Sequence, residues 1–136
     1  VHDYKKYGFL VALDDVGNSH SNLNRIPELK PDILKIDKYL IRDVDKSWHK
    51  KKILKSISYL AKDIRSLVIA EGVETKEEIM DNLEMGIEFF QGFYFARPVP
   101  PGELKFEPVE TTAREIALLF RDQMVTKFKK RRKYFQ

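Results

Sequence analysis

Asp14 and Asp15 close one apolar run of this sequence, Lys35 and Asp37 close a second, Glu71 closes a third, and Gln91 lies within a fourth. Three or four carboxylates gathered at one place would form an all-oxygen site for a hard cation, best suited to Mg²⁺ or Mn²⁺. The sequence has no cysteine, so thiolate sites are excluded and only histidines and carboxylates remain as metal ligands. A lysine inside such a ring adds a positive point charge. Divalent metal and lysine together suit cleavage of a phosphoester, because metals lower the pKa of a bound water and the cations stabilise charge on the phosphoryl oxygens. Schiff-base chemistry on a carbonyl is the competing use of Lys35, although four nearby acids would be an unusual setting for a lysine meant to be neutral.

These residues run from position 14 to position 91, so a fold must bring them together. Phe9–Leu13 is apolar without alternation and reads as a strand buried on both faces, ending at Asp14-Asp15. After a polar loop and a short helical stretch around Leu23–Leu29, Pro31 punctuates the chain before a second strand, Ile33–Asp37. Residues 48 to 64 carry Ile53, Leu54, Ile57, Leu60, Ala61 and Ile64 at three- and four-residue spacings, the stripe of a helix covering a sheet. Leu67–Ala70 is a third strand. Thr75 and Glu78 form a capping box for a helix that Gly86 can end, and Phe89–Phe95 reads as a fourth strand. Thr112 with Glu115 predicts a last amphipathic helix. Strands alternating with helices imply about four parallel βα units, whose C-terminal strand ends lie on one face, where active sites are built.

At 136 residues, 43% of them hydrophobic, one domain is the expectation. The net charge of +4 comes from the end of the chain, where Lys127, Lys129, Lys130, Arg131, Arg132 and Lys133 form an acid-free run; without them the body is at −2. Such a body is not that of a general nucleic-acid binder, and the run reads as a solvated helix end, with RNA, an anionic membrane or an acidic partner as other readings. Trp48 reads as a helix-end packing residue, and His20 as a surface or packing residue. No apolar run approaches the ~20 residues of a spanning helix, and no signal-peptide core opens the chain, so a soluble, cytoplasmic protein is expected. A start at Val rather than Met suggests a fragment, a processed chain or a trimmed one.

Taken in order, Ala12-Leu13-Asp14-Asp15-Val16-Gly17, Lys35-Ile36-Asp37, Ala70-Glu71-Gly72-Val73-Glu74-Thr75 and Gln91-Gly92-Phe93-Tyr94-Phe95-Ala96-Arg97-Pro98 resemble the C-terminal half of an EAL-type cyclic di-GMP phosphodiesterase domain. The resemblance implies half of a TIM-like (β/α) barrel over residues 1–108, followed by an amphipathic helix with a basic tail over 109–136. It implies hydrolysis of cyclic di-GMP to the linear dinucleotide with two Mg²⁺ or Mn²⁺ ions. In that reading Asp14, Asp15 and Asp37 are metal-associated, Lys35 stands beside the nucleophilic water, and Glu71 is a catalytic glutamate. Glu74 braces the loop after the aspartate pair, and Gln91 is a polar residue at the last strand's mouth. The segment Asp15–Ser21 departs from the common D-F-G-T-G-Y-S form at four positions. The family's Glu-Ala-Leu motif and further ligands belong upstream, so the chain alone is expected to be an inactive half-barrel that pairs with itself or with the missing half. A non-catalytic cyclic di-GMP-binding or protein-interaction module is the alternative.

Overall fold

The computed structural model describes residues 2–18 and 22–132, in two units, Val1–Tyr94 and Phe95–Gln136. In the first, the elements run α1 (His2–Lys6), β1 (Ala12–Val16), a 3-10 turn (Leu23–Arg25) leading into α2 (Ile26–Leu29), and β2 (Ile33–Ile36). They continue through α3 (Lys38–Ile41), a 3-10 turn (Val44–Lys46), α4 (Trp48–Asp63), β3 (Leu67–Glu71), α5 (Lys76–Glu84) and β4 (Phe89–Gln91). The strands are parallel and lie in chain order, β1-β2-β3-β4. The expected α/β array of βα units is therefore present.

The two faces of this sheet differ. Leu34 and Ile36 of β2 pair with Val68 and Ala70 of β3, and all four are buried beneath helices. Leu54, Ile57 and Ala61 of α4 and Ile79 and Met80 of α5 complete that core. Shortening Leu54 to alanine would cost about 2–5 kcal/mol through lost contacts and a cavity. The other face carries Ile33, Lys35, Ile69, Glu71, Leu67 and Phe89, none of them fully buried, and Leu67 and Phe89 are about half exposed. In the half-barrel that the sequence resemblance implies, it would be the inner face.

Local signals set the helix ends. The Ser47 hydroxyl accepts the Lys50 amide at the start of α4, and Thr75 and Glu78 form the anticipated capping box of α5. Gly86 follows α5 in the left-handed conformation (φ +85°), which lets the chain leave the helix without Cβ strain. Away from the mouth, the Asp32 carboxylate accepts the Val11 amide at 2.7 Å and pairs with Lys5 at 3.0 Å. That backbone bond and the ammonium hold Asp32 below the ordinary carboxylate range.

Four sequence expectations need correction. Strand β1 begins at Ala12 rather than Phe9, and Phe9 and Leu10 are exposed; pairing with β2 starts at Ala12 opposite Ile33, so the acids lie inside the strand. Strand β4 ends at Gln91, and Phe93–Phe95 form a turn instead of strand core, because the backbone rises over the Gly72-Val73 loop and Tyr94 N bonds Val73 O. Trp48 is exposed rather than packed. In the second unit α6 spans Phe106–Arg132, so Thr112 is not its cap; Pro108 sits in the first turn, where a missing N–H costs nothing, and Thr112 Oγ1 donates back to Pro108 O at 2.9 Å.

Candidate active site

The aspartate pair owes its position to a bulge. Leu13 pairs with Leu34 but Val16 pairs with Ile36, so β1 fits three steps where β2 has two. Strict alternation would put Leu13 and Val16 on opposite faces; the extra residue lets both be buried on the helix side. Asp14 and Asp15 are accordingly both left exposed at the strand's C-terminal end. Asp15 adopts φ +56°, a left-handed conformation that aspartate tolerates better than most residues. Its amide donates to Asp14 Oδ1 at 3.0 Å.

Lys35 fills the space between strands. Its Nζ lies 2.6 Å from Glu71 Oε1 and 3.2 Å from Asp14 Oδ1, tying β2 to both neighbours. The hydrogen bond to Glu71 raises the Lys35 pKa above its ordinary value; partial burial opposes this, and Asp14 adds to the rise. Burial works to raise the Asp14 pKa, but hydrogen bonds from Lys35 and the Asp15 amide outweigh it and leave that carboxyl lowered. The Lys35 ammonium thus stands between the Asp14 and Glu71 side chains.

The other candidates are placed differently. Asp37 follows β2, its amide bonded to Val16 O, and its carboxylate accepts the Tyr39 amide at 2.7 Å, so it caps α3. Glu74 pairs with Arg42, just beyond α3. The Gln91 carbonyl accepts the amides of Gly72 at 2.6 Å and Val73 at 3.2 Å, fixing the loop after β3 to β4, while its side chain is exposed. His20 lies outside the described residues.

The sequence reading missed two residues. Glu78, only 2% exposed, is more than a capping partner: it accepts the Asp43 amide at 3.0 Å, the Glu74 amide at 2.8 Å and the Thr75 amide at 3.2 Å. It thus staples the segment after β2 to the loop after β3, and Arg42 repeats that link through Glu74. Only the cap itself was legible, since Asp43 lies 35 residues away in sequence.

Among the described residues no three acids or histidines converge on one point. In these strands Lys35 stands between Asp14 and Glu71, and the Asp37 carboxylate caps α3. What fits a divalent ion is the all-oxygen, exposed Asp14-Asp15 pair, a partial set for a metal that takes six or more oxygens.

Fold and site together define a segment of a parallel α/β barrel with an acidic, lysine-bridged mouth. The chain belongs to the EAL domain family, whose model matches residues 1–98. It is 36% identical over 95 residues to a probable cyclic di-GMP phosphodiesterase, PdeA of Escherichia coli K12, covering 70% of this chain and 13% of that protein. Klebsiella pneumoniae BlrP1, solved with manganese and cyclic di-GMP, superposes with a TM-score of 0.66 at 39% identity, over 69% of this chain and 24% of that one. Bacillus subtilis YkuI, solved with cyclic di-GMP and calcium, gives 0.70 at 28% identity, over 94% and 32%. The chain thus spans less than half the length of each of these proteins.

Proposed function

We propose that this chain contributes the Asp14–Lys35–Glu71 side of an active site that hydrolyses cyclic di-GMP to the linear dinucleotide. The observation that carries the reading is the lysine-centred triad at the strand ends, in a family whose relatives include cyclic di-GMP phosphodiesterases. Asp14 and Asp15 would hold the divalent ion, which supplies a water of lowered pKa and positive charge beside the phosphoryl oxygens. Lys35, kept protonated by the two carboxylates it donates to, acts as a donor and fixed charge toward those oxygens rather than as a base. Glu71 is the group placed to take a proton from the attacking water. Asp37 and Glu74 support from the flanks, holding α3 and the loop after β3, and Gln91 closes the mouth at β4. With this reading go Mg²⁺ or Mn²⁺ as the metal, the cytoplasm as the compartment, and a second copy or the remaining barrel strands as partner.

In a barrel containing these strands, Lys35→Ala and Glu71→Ala should lower kcat far more than they raise KM, because both groups act on charge that develops in the transition state. Kinetics showing only a raised KM would overturn the assignment. The module reading is favoured by one observation, the lack of any convergence of three metal ligands among the described residues. Cyclic di-GMP binding without Mn²⁺-dependent turnover by a barrel containing these strands is the outcome it requires.

A further inference from the structure

The outer face of α4 carries an unusual row. Trp48, Lys52, Lys55, Tyr59 and Lys62 follow one another at spacings of four, three, four and three, one stripe of a helix about 21 Å long. Trp48, Lys52, Lys55 and Tyr59 lie across the helix from the buried Leu54, Ile57 and Ala61, whereas the ammonium end of Lys62 turns back beside Gly86 and Ser58. Trp48 is 65% and Tyr59 58% exposed, large apolar surfaces left open to solvent. Each ring is matched to a lysine: Lys52 Nζ is 5.3 Å from the Trp48 centroid and Lys55 Nζ is 5.9 Å from that of Tyr59. The helix has five lysines against one aspartate, and Lys51, off the stripe, takes up Asp81 of α5 at 2.9 Å. Asp81 and Glu84 mark the acidic border on that side.

We infer that this stripe is a docking surface for an anionic lipid bilayer. Tryptophan and tyrosine sit at headgroup depth with their apolar bodies inward and their polar atoms outward, and lysines between them meet the lipid phosphates. Single-stranded nucleic acid fits less well. The stripe has no arginine to grip a phosphate with two hydrogen bonds, and the indole is flanked by Lys52 and by the edge of His49, 5.2 Å away, rather than open as a base-stacking platform. An acidic peptide would use the lysines but leave both rings without a role. Lys52 and Lys55 with two rings make a weak, salt-sensitive attachment, which orients the domain on a surface rather than anchoring it.

Trp48 is the only tryptophan, so its emission reports this face and not the basic tail. Phosphatidylcholine vesicles with about a third phosphatidylglycerol should shift Trp48 emission to the blue, and pure phosphatidylcholine should not. Lys52→Glu with Lys55→Glu should weaken the lipid titration at least about tenfold, with the Lys52→Gln, Lys55→Gln pair in between. High salt should reverse the shift. No shift, an equal shift in the charge-reversed variant, or co-sedimentation with Trp48 unshifted (the tail alone binding) would each overturn the inference. A larger response to polyuridylate or polyglutamate than to the anionic vesicles would overturn it in favour of those partners.

Discussion

Lys35 Nζ and Glu71 Oε1 stand 2.6 Å apart across adjacent strands, a diagonal pair, since Lys35 is in register with Ile69 and Glu71 lies two residues further along β3. Both side chains are largely sheltered, with 24% and 19% exposure. The pair therefore feels a lower dielectric than a surface ion pair and holds its geometry better.

Replacing Lys35 by methionine keeps the bulk but leaves Asp14 and Glu71 facing each other without an ammonium. Stability should fall by about 1–2 kcal/mol at neutral pH, the exposed Asp14 limb contributing least. The Asp14 carboxyl should lose its lowered pKa and titrate higher, which carboxyl-detected NMR reads directly. An unchanged Asp14 titration would mean the contact does not form in solution.

The same triad sets a pH window. Lys35 is raised in the fold, so its contribution is full below the ordinary lysine value of 10.5 and is lost as pH climbs through the higher folded value. Asp14 is lowered, so its contribution is present above 3.8 and is lost as pH falls through the lower folded value. Urea midpoints should therefore show no contribution from Lys35 or Asp14 to pH dependence between those limits. In the Lys35→Met variant the alkaline loss due to this lysine should vanish.

Glu78 gives the third expectation. Glu78→Ala would leave the amides of Asp43, Glu74 and Thr75 without their acceptor in a closed site, at a cost of about 2–4 kcal/mol. Glu78→Gln keeps one acceptor oxygen but turns an NH₂ toward one group of donors, so roughly half that loss is expected. Urea denaturation decides between them, and a glutamine variant as stable as the parent would show that the staple carries little.

How far the sequence could be read follows from the range of each interaction. Helices α4 and α5 and the order of four strands were legible because periodicity and caps are local, set within a few residues. The polar strand ends were legible as a group, because parallel topology alone gathers them. Three things were not. The bulge that places Asp14 and Asp15 together depends on which residue of β2 faces Val16. Asp37 and Glu78 both read plausibly in isolation, but their partners Tyr39 and Asp43 matter only once α3 forms, a single turn too short for a periodic signal. Phe93–Phe95 looked like strand because aromatic residues favour strands, and the close approach of Gly92 to Val73 overrode that preference.

Asp15 tests whether the bulge serves function. Glycine there would relieve the left-handed strain and lose some chain entropy, two opposing effects of about 1 kcal/mol each. Thermal stability of Asp15→Gly should therefore stay within about 1 kcal/mol of the parent. Mn²⁺-supported binding of cyclic di-GMP to a barrel containing these strands should fall at least about tenfold, since the variant removes one carboxylate of a partial ligand set. Retained binding would show that Asp15 holds a backbone shape and no metal.

A close backbone approach beside the mouth predicts a harsh effect from a small change. A Cβ on Gly92 would lie 2.1 Å from Val73 O and 2.4 Å from Val73 N, both main-chain atoms with no rotamer to yield. Gly92→Ala must therefore push β4 away from the loop after β3. That movement strains the bonds from the Gly72 and Val73 amides to Gln91 O and from the Tyr94 amide to Val73 O. A loss of about 2–4 kcal/mol is expected, comparable to overpacking a core. Hydrogen exchange should localise it, with the amides of Gly72, Val73 and Tyr94 exchanging faster while the α4 amides of Leu54 and Ile57 change only with global stability. If those three amides stay as protected as in the parent, the loop and β4 are not held together by this contact, and the position of Gln91 at the mouth must have another cause.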